Sequence, residues 1–234
     1  MNRYRNRTPE EVMKQVTIEI IGRAVRYSVK KKRTITISKT SGGKGVDVTT
    51  LNPRTTAGMQ NLNNFLTPIK RHYTISGLGG AEEAHSVNWR KLNLPWRRRM
   101  ILGFQVVLSF FMKGSPSKNK LYRRMGVHVG RGSEIMQTVW LDHFRPELIF
   151  IGGNTLIGAM SRITVHAYEG SGKFRYGVVE IGSNCILGAG TGMGPIIIED
   201  NVRILPGTTL SPYFARIKSG SVVGWNPPPL RQSS

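Results

Sequence analysis

The side chains of this 234-residue chain best suited to moving a proton near neutral pH are five histidines, His72, His85, His128, His143 and His166. A neutral imidazole, with an ordinary pKa of about 6.5, can take a proton from a hydroxyl or an amine and so act as a general base. Asp142 directly precedes His143, where a carboxylate could orient an imidazole. The single cysteine, Cys185, excludes an intrachain disulfide and a cysteine-built zinc site, so a reducing cytoplasm is the expected compartment. The first residues lack an apolar core of the signal-peptide kind, which points the same way.

The elements that would position these side chains become visible after Gly126, where an aliphatic residue recurs every six positions. Ile151, Ile157 and Ile163 form one set, Ile181, Leu187 and Met193 a second, Ile198, Ile204 and Leu210 a third, and Ile217 with Val223 a last one after a slip. Neither an α-helix nor a meander has that period. Glycine directly follows several of them, as in Ile151-Gly152 and Leu187-Gly188. A hexad can form one flat side of a triangular coil, its aliphatic residue inward and glycine, Asn or Asp at the corner where a positive φ is needed. Three hexads close a coil, and stacked coils bury one continuous aliphatic column. The expected fold is mainly β: a parallel β-helix over residues 126–234, a helical segment over 95–125, and a basic α/β region of unknown fold over 1–94.

The run Leu141-Asp142-His143-Phe144-Arg145-Pro146-Glu147-Leu148-Ile149-Phe150-Ile151-Gly152-Gly153-Asn154-Thr155-Leu156-Ile157-Gly158, followed by Ile163-Thr164-Val165-His166, Val179-Glu180-Ile181-Gly182-Ser183-Asn184 and Gly224-Trp225-Asn226-Pro227, resembles the hexapeptide-repeat O-acetyltransferases of the maltose/galactoside type. The resemblance covers roughly residues 120–231. It implies a left-handed β-helix, a hand that runs against the usual right-handed crossover. It also implies acetyl-CoA as acyl donor, no metal, a homotrimer, and a saccharide or related small acceptor. His166 occupies the position of the family's general base, with His143 as the alternative because the adjacent Asp142 could orient its imidazole or contact the acceptor, as acidic residues near this position do in the family. Gly188, Ala189 and Gly190 match the coil along which the pantetheine arm passes, and Arg231 matches a C-terminal basic residue that meets the nucleotide phosphates. The chain departs from the pattern at Ser211-Pro212, where the family has Thr-Lys, and at Pro206, where it has a small residue. A trimeric β-helical carbonic anhydrase is disfavoured, because no two of the five histidines are five residues apart.

The net charge of +21 is unevenly spread: 12 Lys and Arg stand against 4 Asp and Glu over residues 1–50, 13 against 2 over 51–126, and 9 against 7 over 127–234. A basic front half suggests an anionic partner. It holds no helix-turn-helix and no aromatic-interleaved RNA signature, so nucleic acid is not favoured. Thr8-Pro9-Glu10-Glu11 reads as the start of a helix to about Ser28, and two alternating runs, Thr34–Ser38 and Val46–Thr50, read as a hairpin. The apolar stretch Met100–Met112, flanked by Arg97, Arg98, Arg99 and Lys113, is too short to span a bilayer. It reads first as a helix packed on the protein or on a neighbouring subunit, and second as a peripheral contact with the inner face of a membrane. The alternative to an enzyme is a trimeric scaffold whose basic front half binds nucleic acid or an anionic membrane.

Overall fold

A computed structural model describes residues 6–31, 35–40, 46–51, 65, 70, 72–76, 92, 96–169, 173–210 and 216–224. Helix α1 (Pro9–Lys31) starts at a reciprocal capping box: the Thr8 N–H donates to Glu11 Oε2 at 2.9 Å and the Glu11 N–H donates to Thr8 Oγ1 at 3.2 Å. Its buried residues Val12, Met13, Val16, Ile20 and Ala24 keep the helical spacing that the sequence shows. Strands β1 (Ile35–Thr40) and β2 (Val46–Leu51) pair antiparallel, as expected of a hairpin. A third strand, β3 (His72–Ser76), lies in a stretch whose sequence suggested no element, and it pairs with the other edge of β1. Helices α2 (Trp96–Phe111) and α3 (Pro116–Met125) follow. The second is capped by Ser115, whose side chain accepts from the Lys118 N–H, and ends on Gly126 in the left-handed conformation.

From His128 onward the chain winds into three stacked parallel sheets whose short strands follow one another around the sides of a prism. The fold is the expected one, mainly β with a parallel β-helix behind a basic α/β region. The register confirms the inward column, since Ile151 aligns with Ile181, Ile181 with Ile198, and Ile198 with Ile217. The first coil lies inside the expected β-helix, although its inward residues are not among the hexads read from the sequence: Val129, Ile135 and Leu141 stack on Ile151, Ile157 and Ile163 and are as buried. A six-residue period does join them, but the 3-10 turn at Pro146–Leu148 stretches the next step to ten residues and hides their phase. At the other end Leu210, Ile217 and Val223 are only partly buried, being the last layer of the column.

The glycines need a correction. Those directly after the aliphatic residues are not the positive-φ corners; the left-handed residues come two positions later, at Asn154, Asn184 and Asn201 on one edge. The first set of glycines answers a different demand, which is coil spacing. A Cβ on Gly152 would lie 2.5 Å from the carbonyl carbon of Gly182 in the next coil. Backbone cannot yield there as a side-chain end would, so Gly152→Ala is expected to destabilise the fold by about 3 kcal/mol or more, read as a fall in thermal midpoint.

His128, in the first coil, lies against Phe150 with ring centroids 4.0 Å apart and planes 8° from parallel. Burial pushes its imidazole down to about 4, against a smaller upward pull from a hydrogen bond with the Glu147 backbone. It is therefore neutral in the folded chain at pH values where the unfolded chain binds a proton. Stability should be complete above about pH 6.5 and decline as pH falls toward 4, by about 2 kcal/mol once partial exposure is allowed for. Melting wild type and His128→Phe across that range checks it: the variant, which keeps the stacking, should lose less stability on acidification.

Candidate active site

The site forms where the prism is interrupted. After Ile163 the chain leaves the coil and runs out as a hairpin, His166–Glu169 paired with Lys173–Gly177, before re-entering at Val179. The outer hairpin strand pairs with β3, so the hairpin and β3, β1 and β2 make one five-stranded antiparallel sheet. The basic front half thus buttresses the segment that carries His166. Tyr176, opposite His166 in the hairpin, is also opposite Tyr73 of β3, and their rings stack at 5.9 Å.

Asp142 sits at the end of the preceding coil's third side and is buried. Its Oδ1 accepts from the Phe144 N–H at 2.8 Å, and its Oδ2 accepts from the Val165 N–H at 2.8 Å and contacts His166 Nδ1 at 2.6 Å. Burial alone would raise this carboxyl, but the hydrogen bond and charge of His166, together with the two backbone donors, outweigh it and hold the group below the usual carboxylate range. An ionised carboxylate only accepts, so Nδ1 carries a hydrogen, and in the neutral ring Nε2 is then the nitrogen with the lone pair. The imidazole is clasped by Phe144 (4.6 Å between centroids) and Phe174 (5.7 Å), and its side chain remains 26% exposed. An imidazole held in this way has the geometry with which Nε2 could accept a proton.

The turn behind Phe144 is fixed by Arg145, which is fully buried, pairs with Glu19 of α1 at 2.9 Å and Glu147 at 3.3 Å, and lies over the Phe144 ring at 5.8 Å. A buried pair of this kind contributes register more than stability, tying α1 to the loop that holds the ring.

Of the residues singled out from sequence, Asp142 and His166 come together. His143 does not join them: its ring meets Trp140 edge-on at 5.4 Å, and its buried Nδ1 has no hydrogen-bond partner. Gly188, Ala189 and Gly190 form a corner two coils along. Gly188 lies so close to the next coil that a Cβ would stand 2.4 Å from the Pro206 nitrogen, and Gly190 has φ +73°, so coil geometry demands both glycines whatever binds there. Arg231, Ser211 and Pro212 lie outside the described residues. Among the described residues no three His, Cys, Asp or Glu side chains gather. Phe144, Phe174 and Tyr73 were not singled out, because nothing local distinguishes a ring that packs on an imidazole from one that fills a core.

A separate open groove of about 680 Å³ runs between α2 and the β-helix, lined by Phe110, Thr138, Trp140, Met160, Ser161 and Arg162.

No protein-family profile matches the chain. Two similar proteins carry the name "Putative acetyltransferase": YvoF of Bacillus subtilis (strain 168), 34% identical over 112 residues, and SAS0727 of Staphylococcus aureus (strain MSSA476), 38% identical over 128 residues. The first match spans 47% of this chain and 63% of the Bacillus protein, less than two thirds of its length; the second spans 51% of this chain and 80% of the Staphylococcus protein. Among solved structures the chain is similar to the hexapeptide-repeat containing acetyltransferase VCA0836 of Vibrio cholerae, at 13% identity and a TM-score of 0.44, over 56% of this chain and 87% of that one.

Proposed function

The chain belongs to the acetyltransferase family that includes SAS0727, and from that premise we propose that it moves an acetyl group from acetyl-CoA to a hydroxyl or amine of a saccharide or similar small acceptor, in the manner of the maltose/galactoside type. The observation that supports this reading is the Asp142–His166 contact: with Nδ1 donating to the carboxylate, the neutral ring would have Nε2 available to accept a proton. Nε2 takes the proton of the acceptor as its oxygen or nitrogen attacks the thioester carbonyl; the carbon–sulfur bond breaks, and the proton passes from the imidazolium to the departing thiolate. Backbone N–H groups of a neighbouring coil would stabilise the oxyanion. In this reading the β-helix of residues 126–234 carries the chemistry and residues 1–94 hold its hairpin in place. The protein acts in the cytoplasm as a homotrimer, with Gly188, Ala189, Gly190 and Arg231 beside the donor in a cleft between subunits.

The test is CoA release from acetyl-CoA across a panel of sugars and amines. Release with at least one acceptor, and product acetylated in proportion, is expected. A chain that is folded and oligomeric yet releases no CoA and binds no acetyl-CoA would overturn the proposal in favour of a scaffold.

A further inference from the structure

Helix α2 is inverted relative to an ordinary surface helix. Its buried positions are Leu102, Val106 and Ser109, while the face turned outward bears Trp96, Met100, Phe104, Val107 and Phe111, with Phe104 65% and Phe111 75% exposed. Contiguous exposed apolar surface of several hundred Å² on a water-facing element marks an interaction site. We propose that α2 is a monotopic anchor, which lies in the interfacial layer of an anionic phospholipid bilayer with its outer stripe among the acyl chains and the flanking cations at the headgroups.

The charge around the helix selects the occupant. From Ala84 to Ser133 the chain holds no Asp or Glu and eleven Lys and Arg, among them Arg97, Arg98 and Arg99 at the start of α2 and Lys113 just beyond its end. The Arg97 guanidinium lies 5.6 Å from the Trp96 ring centroid, a pairing of aromatic and cation suited to the headgroup level. A second copy laid face to face in a two-fold contact would bring these cations against their own kind, whereas anionic lipid complements them, and a contact with a different surface in a trimer is the outcome that the oligomeric state of the serine variant tests. The apolar surface also continues beyond the helix. The Thr138 N–H donates to the Phe110 carbonyl at 3.1 Å, joining the end of α2 to the coil corners where Met136, Trp140 and Met160 are exposed. At Met160 the backbone is left-handed (φ 60°), although the equivalent corners of the next two coils use Gly190 and Gly207. A bulky side chain at such a position carries strain, and here it holds a methionine that is 69% exposed beside the groove. No helix among the described residues is long and apolar enough to cross a membrane, so the contact is with one leaflet.

The inference does not depend on acetyl transfer. The full chain is sedimented at physiological salt with phosphatidylcholine vesicles that contain or lack phosphatidylglycerol. Binding is expected with the anionic vesicles, falling at least about tenfold in Phe104→Ser/Phe111→Ser, whose circular dichroism and oligomeric state stay those of the wild type. Should that variant misfold, brominated phospholipids still test the wild type, since its tryptophan emission should be quenched and Trp96→Phe should reduce the quenching. The proposal fails if the wild type ignores anionic vesicles, if binding is indifferent to the serines, or if the serines split the assembly into smaller species, which would make this face a contact between subunits.

Discussion

His166→Asn is expected to lower kcat/KM for acetyl transfer by about 10²- to 10⁴-fold, the range a positioned general base contributes, while the protein stays folded. Asparagine is chosen because its amide nitrogen can take the place of Nδ1 and donate to Asp142, so the buried carboxylate keeps a partner. What is lost is Nε2 alone. His166→Ala would remove both, and would also open a space between Phe144 and Phe174, confusing a catalytic loss with a packing loss. The measurement is CoA release with the best acceptor of the panel, beside the thermal midpoint of the same preparation. Turnover near the wild-type rate in the asparagine variant would remove His166 as the base. His143 would then be the next residue to replace, although its contact with Trp140 rather than Asp142 leaves it without a carboxylate to orient it.

The β-helix was legible because its signal is a period, and a period survives substitutions that erase any single residue. Ile151 to Leu210 could be assigned inward with no knowledge of contacts, and the structure buries that column except at its last layer. Two interruptions marked the limits. The turn at Pro146–Leu148 breaks the phase between the first coil's inward residues and the next, and the glycines after the aliphatic residues let one coil approach the next rather than turn a corner. Strand β3 was illegible for another reason. His72–Ser76 has no hydrophobic run to announce it, and its pairing partners lie some forty residues before it and a hundred after. Such pairing is decided by tertiary register, which local propensity does not encode. The same gap explains the site. Sequence spacing leaves Asp142 adjacent to His143 and 24 residues from His166, yet the coil returns to the same edge after one turn and sets the carboxylate against the distant ring.

Asp142→Asn should therefore be nearly as damaging to the rate as loss of the imidazole, and for a reason that its burial makes testable. Three N–H groups converge on this carboxylate, from Phe144, Val165 and His166. An asparagine has one acceptor oxygen and a donor amide, so one side must oppose donor to donor. If the amide faces Phe144, that buried N–H loses its acceptor; if it faces His166, Nδ1 must become the acceptor and Nε2 takes the hydrogen, which abolishes the base. Either arrangement leaves a buried N–H without a partner, at about 1–3 kcal/mol of stability, and the second lowers kcat by a factor on the order of 10³–10⁴. Because the carboxyl is held low in the folded chain, the wild-type stabilisation is present above its unfolded pKa and disappears as pH falls through the folded one; the variant should lack that acid-sensitive part. The decisive comparison is the double variant Asp142→Asn/His166→Asn. If Asp142 acts only by orienting the ring, adding its substitution to His166→Asn should cost no further rate, a strong departure from additivity. A further multiplicative loss, or a rise in KM for the acceptor with kcat intact, would instead assign the carboxylate to the acceptor and leave the tautomer of His166 to be set by something else.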